Sequence, residues 1–481
     1  MLYLIDSSAK NLSGHNLEYL KRISEKTKSE FLILGRKDLI SDVNPKYRPT
    51  FEFGTWDFGR FGFSVKYREE SLGQNAKTLK PTLRFIITEK YLEKIAAVLA
   101  KKLQGLILLI VSLSKQSRCY RRDLRNGLKG MKLESTILIS TANARELIGL
   151  SGWIAESDPN RYSISVILRR PIVDLRSFIE LPLIFVDALL YISVIQKLAN
   201  KVKFFADTPG LAARISERSG KEIGCVAAMG FEKQNEKLDS LLDVAVAPNS
   251  RIETRYELNG LHNIPDLSSQ MKINLDSNKY RELLSRTRSV VLPYDPLRYR
   301  SRSSGVFAEA LTLGILPVVP TGTSMSRELT NLNSKILPTP KFVTELAFGE
   351  AIDIGQFGQE ELLVTVKSNF KCSLILEILD GGIRITRSAH DFFESNAVDS
   401  FLIRPTNNTI LSLKSDRSFI HHRDKFGIAF TQLNETLFGI PYLPGDLPLA
   451  LSLLKTTIFH SADHSKIKEH SPSSICQSLG I

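Results

Sequence analysis

The stretch from residue 289 to residue 328 constrains the fold more than any other part of the chain. It reads SVVLPYDPLRYRSRSSGVFAEALTLGILPVVPTGTSMSRE. The apolar run at residues 289–293 predicts a short buried strand, and residues 305–313 carry apolar side chains at helical spacing. Gly314 is typical of a helix end, and residues 315–320 predict a second buried strand. A strand, a polar loop, a helix and a strand in this order are typical of an α/β fold with a parallel sheet.

The start of the predicted helix is a candidate binding site for a diphosphate. The N–H groups of Ser304, Gly305 and Val306 lie where the helix begins, and such positions attract anions. Glu309 lies one turn beyond Gly305 on the same face of the helix, where it can reach a sugar hydroxyl of the same ligand. Glu309 also fits an ordinary βαβ unit as a solvated helix residue, and both interpretations stay open.

The same stretch resembles the nucleotide-binding signature in the C-terminal domain of GT-B glycosyltransferases, in the large retaining family (group 1, or family 4-like). The match is carried by residues 304–311 and 314–320, and Tyr294-Asp295-Pro296 with Tyr299-Arg300 is similar to a subset of that family. The family has two glutamates eight positions apart, and Ser301 stands where the first would be. The resemblance implies that Glu309 holds the ribose of the donor. The other implied donor-binding residues are Ser304, Gly305, Val306, Phe307 and Tyr294.

Two shorter segments add weaker similarities. Residues 13–19 read Ser-Gly-His-Asn-Leu-Glu-Tyr and resemble the first loop of the same enzymes, which implies that Ser13, Gly14 and His15 face the cleft. A helix-capping turn with a surface histidine explains these residues equally well. A strand is expected at residues 226–230, after which the family has an arginine and then a lysine that clamp the diphosphate. Phe231 replaces the arginine, and Lys237 matches the lysine. A surface lysine at a helix start is the other explanation of Lys237.

Length and charge divide the chain into parts. A chain of 481 residues exceeds one ordinary core. Residues 1–225 carry 37 Lys and Arg against 23 Asp and Glu, whereas residues 226–481 carry 27 against 28. The resemblance implies an α/β protein of GT-B type, with two Rossmann-like doubly wound domains facing a central cleft. The predicted parts are an N-terminal acceptor-side domain at 1–222, a C-terminal nucleotide-sugar-binding domain at 223–401, and an extension of unassigned structure at 402–481.

Three local expectations belong to this division. Residues 383–401 are expected to form the helical close of the second domain, and residues 461–481 a loose polar tail. From residue 91 to residue 106, leucine and isoleucine recur at helical spacing among several lysines. This pattern fits a basic amphipathic helix on an anionic membrane surface, and it fits equally a core helix with a solvated lysine face.

The resemblance implies an enzyme, a hexosyltransferase of retaining type. It would transfer a sugar from a nucleotide-sugar donor to a glycan or lipid-linked acceptor in cell-surface polysaccharide synthesis. No cofactor and no metal are expected, because the sequence has no Asp-x-Asp motif and its cysteines and histidines lack ligand spacing. No catalytic residue is assigned. The four scattered cysteines are typical of a cytoplasmic protein.

Two other functions stay open. The replacements at Ser301 and Phe231 are compatible with a catalytically degenerate homologue that acts as a binding or scaffold subunit. The basic N-terminal half suits peripheral contact with an anionic membrane on the cytoplasmic face. The second open function is a nucleic-acid-binding protein that uses the same basic half. It ranks last, and no nucleic-acid partner is expected, because the chain has no helix-turn-helix, zinc or aromatic-basic signature.

Overall fold

The structure is a computed structural model of the 481-residue chain. It describes residues 1–8, 15–37, 46–53, 83–112, 114–158, 161–173, 181–230, 242–246, 284, 287–338, 340, 342–347, 349–357, 360–370, 372–392, 397–415, 425–433, 436–443, 447–453, 458–459 and 467–481. The chain divides into two compact units. The first consists of Met1–Glu69, Thr88–Met229 and Pro472–Ile481, and the second of Glu70–Ile87 and Gly230–Ser471.

The first unit is built on a seven-stranded sheet in the order β3-β2-β1-β4-β5-β6-β7, in which every neighbouring pair is parallel. The strands are β1 (Leu2–Ile5), β2 (Phe31–Arg36), β3 (Tyr47–Phe51), β4 (Ser135–Ile139), β5 (Tyr162–Leu168), β6 (Lys203–Ala206) and β7 (Gly224–Cys225). The helices are α1 (His15–Lys26), α2 (Leu83–Ser112), α3 (Lys115–Gly127), α4 (Ala144–Glu156), α5 (Leu181–Leu198) and α6 (Pro209–Ser219). The α/β fold class is confirmed.

The strands of this sheet are apolar, and helices alternate with them along the chain because a parallel sheet is covered by helices on both faces. All four residues of β1 are buried, as a strand in the middle of a parallel sheet requires. Parallel neighbours need crossover connections, and caps fix where their helices begin. At α4, the Asn143 side chain accepts from the Glu146 N–H, and the Glu146 carboxylate accepts from the Asn143 N–H. The strand order reverses between β1 and β4, and ligands of such sheets gather at that point.

The second unit contains an eight-stranded mixed sheet in the order β11-β18-β13-β16-β20-β10-β9-β8. A four-stranded antiparallel sheet, β12-β17-β14-β15, accompanies it. The strands are β8 (Leu242–Val246), β9 (Thr287–Val291), β10 (Leu316–Pro320), β11 (Phe342–Ala347), β12 (Ala351–Asp353), β13 (Leu362–Ser368), β14 (Cys372–Asp380), β15 (Ile383–Phe392), β16 (Ala397–Ile403), β17 (Thr409–Ser415), β18 (Lys425–Gln432) and β20 (Ile440–Tyr442). A separate short pair joins β19 (Thr436–Leu437) to β21 (Ile458–Phe459). The helices are α7 (Pro296–Tyr299), α8 (Gly305–Leu313), α9 (Ser324–Asn333) and α10 (Leu447–Leu453).

The second unit combines two kinds of sheet. Strands β8, β9, β10 and β20 are parallel, whereas β16, β13, β18 and β11 pair antiparallel. Buried side chains of both the eight-stranded and the four-stranded sheet form one apolar core, which includes Val364, Leu376 and Phe401. Strands β11 to β18 therefore form a β-sandwich, which follows α9 in the chain and precedes β20.

The expectation of a helix at residues 383–401 is wrong, because this segment forms β15 and β16. The hairpin from β14 to β15 turns at Gly381 and Gly382, whose φ angles are +55° and +81°. Two adjacent positive φ angles suit a tight hairpin turn and glycine adopts them without a side-chain clash. Residues 402–432, which the sequence left unassigned, continue the sandwich through β17 and β18.

Two further expectations differ from the structure. The predicted strand at residues 226–230 does not form, since the paired strand here is β7, which ends at Cys225 in the first sheet. The expected loose tail contains α11 (Pro472–Leu479), whose Ile475, Cys476 and Leu479 are buried in the core of the first unit. The helix forms because Pro472 occupies its first turn and these three apolar side chains share one face.

The buried ion pair between α2 and α6 provides a test of the first unit. Glu93 and Arg214 are almost fully buried and form a salt bridge. We expect Glu93→Ala to lower the free energy of unfolding by about 3–5 kcal/mol, because it leaves a buried guanidinium without its charged partner. Urea unfolding followed by circular dichroism measures this change.

The control for that test is Glu217→Ala. Glu217 pairs with Arg218 at 2.7 Å, but its side chain is 43% exposed. A loss of at most about 1 kcal/mol is expected for such an exposed pair. Equal losses in the two variants would contradict the importance of the buried pair.

Candidate functional site

The predicted strand, helix and strand around residue 305 are confirmed as β9, α8 and β10. Ser304 caps α8, since its Oγ accepts a hydrogen bond from the Phe307 N–H at 3.3 Å. Gly314 ends the helix with a φ of 72°, a left-handed conformation that glycine adopts easily. Strands β9 and β10 are parallel neighbours, so α8 starts at the carboxyl edge of this part of the sheet.

Burial decides which groups of α8 a ligand can reach. The side chains of Val306 and Phe307 are buried in the apolar core of the second unit. Only their backbone could contact a ligand, and the Phe307 N–H already donates to Ser304. In the part of the chain that the structure describes, the N–H groups of Gly305 and Val306 donate to no residue. These two N–H groups are therefore the donors that the helix start offers.

Gly305 is exposed, and neither packing nor backbone geometry requires a glycine there. A Cβ added at this position meets no atom within 4 Å, and its φ is not in the left-handed region. By contrast, a Cβ at Gly230 would lie 2.4 Å from Thr312 Oγ1 and 2.5 Å from the Ala308 carbonyl oxygen. Gly230 is needed for packing against α8, whereas a side chain at Gly305 would enter open space.

Tyr294 supports the helix start from inside the protein. It is buried, its hydroxyl lies 3.2 Å from Ser304 Oγ, and its ring stacks on Tyr299 with centroids 4.2 Å apart. Burial, assisted by the neighbouring Tyr299, raises the pKa of Tyr294 well above its ordinary value. The group therefore stays a neutral phenol that holds the Ser304 cap in position.

Glu309 is buried, with 3% of its surface exposed. The interpretation of Glu309 as a solvated helix residue is therefore wrong. It lies on the same turn of α8 as Ala308, against which Gly230 packs. Burial of a carboxylate is costly unless it is paired or hydrogen-bonded, and Glu309 has an interaction partner within the protein.

His470 lies near α8, and no sequence pattern singled it out. The His470 imidazole is hydrogen-bonded to the Glu328 carboxylate of α9, and its ring meets Phe307 edge-on at 6.5 Å. The His470 carbonyl accepts from the Gly230 N–H at 2.9 Å. His470 thus links the Gly230 segment, α8 and α9. A single histidine in a polar segment has no sequence pattern that would reveal this role.

Four predicted site residues lie far from α8 in the sequence. Ser13 and Gly14 of the predicted first loop, and Lys237 of the predicted diphosphate clamp, lie outside the described residues. His15 is the first residue of α1.

A buried polar network lies beside the loop that follows β10. Asp399 accepts hydrogen bonds from the Gly322 N–H at 3.0 Å, from Ser326 Oγ at 2.8 Å, and pairs with His390 Nδ1 at 2.9 Å. All of these side chains are fully buried. The network attaches the inserted sandwich, through β15 and β16, to the start of α9. The sequence does not reveal it, because its members lie far apart in the chain.

Opposing effects set the pKa of Asp399. Burial raises it, but the hydrogen bond and charge of His390, the charge of Arg327 and the Ser326 hydrogen bond outweigh burial. The pKa of Asp399 is therefore below its usual value.

The switch point of the first sheet carries a second polar cluster. Ser7 Oγ donates to Glu146 Oε1 at 2.6 Å, the Ser8 N–H donates to Asp6 Oδ1 at 2.8 Å, and Ser140 Oγ donates to Asp6. These polar side chains are buried at the carboxyl ends of β1 and β4. They offer hydroxyl and carboxylate groups where ligands of doubly wound sheets bind.

Within the described residues, no group of three or more His, Cys, Asp or Glu side chains is placed to hold a metal ion. The same residues contain no helix that combines the length and apolar character needed to cross a membrane.

Comparisons with known proteins give only weak similarities. No protein-family model and no curated protein matches the chain. Among solved structures, the N-terminal domain of trehalose-6-phosphate phosphatase from Candida albicans is 9% identical, with a TM-score of 0.40, over 69% of this chain and 84% of that one. A high-affinity mannose-binding lectin from Ralstonia solanacearum is 10% identical, with a TM-score of 0.13, over 20% of this chain and 98% of that one. TM-scores this low assign no fold family, and function has to be inferred from the chain's own residues.

The low pKa of Asp399 gives a prediction for acid unfolding. A carboxylate with a lowered folded-state pKa stabilises the protein above its unfolded-state pKa of about 4, and this stabilisation is lost as the pH falls through the folded-state value. We expect Asp399→Asn to be less stable than the parent near pH 7 and to lose less stability between about pH 5 and pH 3. Urea unfolding across this range measures both effects.

Asp158→Asn is the matched control for the acid experiment, because Asp158 is exposed. It should follow the parent curve. An Asp399→Asn curve that runs parallel to the parent would show that the network does not stabilise the charged carboxylate.

Proposed function

We propose that the protein is a GT-B glycosyltransferase that transfers a sugar from a nucleotide-sugar donor to a glycan or lipid-linked acceptor. The observation that carries the proposal is the start of α8. Gly305 has no packing or conformational need to be glycine, and it lies open above two available N–H groups. A glycine of this kind allows a ligand to approach the backbone closely. The ligand that suits a helix start is an anion, such as the donor diphosphate.

The chemistry of sugar transfer needs the groups that this helix start offers. The bond between the anomeric carbon and the diphosphate oxygen breaks, a bond to an acceptor oxygen forms, and the acceptor proton leaves with the diphosphate. Negative charge therefore grows on the leaving group. The N–H groups of Gly305 and Val306, together with the dipole of α8, stabilise that charge without reorganisation. Lys237 would add a positive charge.

Glu309 supplies the second contact of the proposal. It follows Gly305 by one helical turn and is buried, so its carboxylate is shielded from water. A carboxylate that accepts a hydrogen bond from a ribose hydroxyl binds it strongly when water is excluded. The same ligand would then be held by its diphosphate at Gly305 and by its ribose at Glu309.

A second function is a binding or scaffold subunit without turnover. Ser301 favours it, because this residue stands where the resemblance implies a glutamate contact to the transferred sugar and it is 1% exposed. A scaffold of this kind would keep the nucleotide site and lose sugar transfer. Binding of a nucleotide-sugar without release of its nucleoside diphosphate, across a panel of donors and acceptors, would favour the scaffold function.

Gly305→Ala tests the diphosphate contact. The substitution should leave the melting temperature of the free protein unchanged, because the added methyl group enters open space. It should weaken nucleoside diphosphate binding by about 10–100-fold, the effect of about 1–3 kcal/mol from a misplaced methyl group. The measurement is a thermal-shift titration with the diphosphates UDP, GDP, ADP and TDP and with the monophosphate CMP.

Gly427→Ala is the control for this titration. A Cβ at Gly427, on β18 in the inserted sandwich, makes only an ordinary contact of 3.7 Å with Lys367 Cβ. This variant should bind like the parent. If Gly305→Ala also bound every tested nucleotide like the parent, α8 would not be the diphosphate site.

Glu309→Gln tests the ribose contact. The parent, with ligand at about 100 times its dissociation constant, should gain about 2.7 kcal/mol of stability. Glu309→Gln should lose much of this gain, since a neutral amide accepts a weaker hydrogen bond than a carboxylate. The matched control is Glu345→Gln, at a side chain that is 63% exposed. A Glu309→Gln variant that binds the ribonucleotide as tightly as the parent would contradict the assignment.

A further inference from the structure

Helix α2 exposes apolar and basic side chains on one side. Tyr91 is 59% exposed, Ile95 37% and Val98 58%. Lys94, Lys101 and Lys102 are exposed as well. We define these six residues as the α2 face. Residues 91, 95, 98 and 102 form one stripe along the helix, and Lys94 and Lys101 lie along one side of that stripe, as helical spacing requires.

The exposed large apolar side chains are concentrated on this helix. Among the described residues, seven large apolar side chains are exposed: Tyr91, Ile95, Val98, Leu103, Leu133, Val186 and Val343. Four of the seven lie on α2. Single exposed apolar residues are ordinary on soluble proteins, but a group of them on one helix indicates an interaction surface.

The opposite side of α2 is packed against the first unit. Ala96 and Ala100 are buried, and Gln104 Nε2 donates to the Ser193 carbonyl of α5 at 2.9 Å. Glu93 is the one acidic residue between residues 91 and 104, and it is fully buried in its salt bridge with Arg214. Every exposed charge of this segment is therefore positive.

We propose that the α2 face docks on a membrane surface rich in anionic lipid head groups. The three apolar side chains would enter the boundary between head groups and acyl chains, where tyrosine is favoured because its ring is apolar and its hydroxyl polar. The lysines would lie at the level of the phosphates, since their long stems let the ammonium groups reach them. The structure thereby favours the membrane interpretation of this helix over the core-helix one, because Tyr91, Ile95 and Val98 are outside the core.

The composition of the face favours a lipid surface over a protein partner. Three medium-sized apolar side chains cover far less than the roughly 1,600 Å² that a stable protein interface buries. Lysine is also depleted in the buried centres of protein interfaces, whereas it is enriched on helices that lie on anionic membranes. The electrostatic part of the attraction acts with any anionic lipid and needs no shaped pocket.

The test is co-sedimentation of the full chain with vesicles of phosphatidylglycerol and phosphatidylcholine, compared with vesicles of phosphatidylcholine alone. The parent should bind the anionic vesicles and not the neutral ones, and the binding should weaken as salt is added. The triple variant K94Q/K101Q/K102Q should bind roughly 100-fold more weakly, because each lysine near the surface contributes about a fivefold effect.

A matched triple variant separates the α2 face from overall charge. Lys129, Lys201 and Lys203 are exposed on other parts of the first unit, so K129Q/K201Q/K203Q makes the same change in net charge. It should keep nearly all vesicle binding. Equal losses in both triple variants would show that the total positive charge binds the vesicles, and the proposal would fail.

A separate set of variants tests how much the apolar side chains of the α2 face contribute to vesicle binding. Y91S/I95S/V98S should weaken vesicle binding while leaving the fold intact, because all three side chains are exposed. Leu133→Ser, at a side chain 67% exposed outside α2, should not weaken it.

Two further results would overturn the proposal. One is no binding of the parent to anionic vesicles. The other is concentration-dependent self-association, measured by light scattering, that Y91S/I95S/V98S abolishes, since the face would then join two copies of the chain. None of these measurements depends on sugar transfer, so they stand apart from the proposed enzyme activity.

Discussion

The close packing of α8 is the constraint on which the rest of the second unit depends. Phe307, Ala310 and Leu311 fix one side of the helix in the apolar core, and Gly230 approaches its backbone so closely that no larger residue fits. This packing fixes the position and the orientation of α8 relative to β9 and β10. Its first turn reaches the surface at Gly305, while Glu309 stays buried one turn below. The packing that stabilises the unit therefore also places the N–H groups of Gly305 and Val306 one helical turn from the buried carboxylate of Glu309.

The parts of this arrangement that are local in sequence could be predicted. Ser304, Gly305 and Gly314 mark the ends of α8, and the structure confirms all three positions. The roles that depend on distant residues could not be predicted. Tyr294 supports the Ser304 cap from inside, and His470 joins Gly230 to α9 across more than 200 residues of chain. The cost of burying such groups is balanced by partners that no local pattern names.

The inserted β-sandwich explains the largest difference between sequence and structure. Residues 383–401 carry enough apolar side chains for a helix, yet they pair with β14 and β13 as β15 and β16. The adjacent Gly381 and Gly382 are the signal in the sequence for a hairpin, whereas a domain of alternating strands and helices favours a helix after them. Asp399 and His390 then attach this sandwich to the start of α9, so the insertion bears directly on the loop that follows β10. In helix α2, too, only the local pattern can be predicted from the sequence. The helical spacing of its apolar residues is visible there, but the burial of Glu93 depends on Arg214, which lies 121 residues away in the chain.

The most direct test of the central claim is calorimetric titration of the protein with a nucleoside diphosphate and with the matching nucleoside, taking the base that gives a thermal shift. If the start of α8 holds the diphosphate, the diphosphate should bind and the nucleoside should bind at least about 100-fold more weakly, a difference of about 2.7 kcal/mol. Equal affinity for both would mean that the phosphates make no net contact, and it would contradict the assignment of α8 as the donor site.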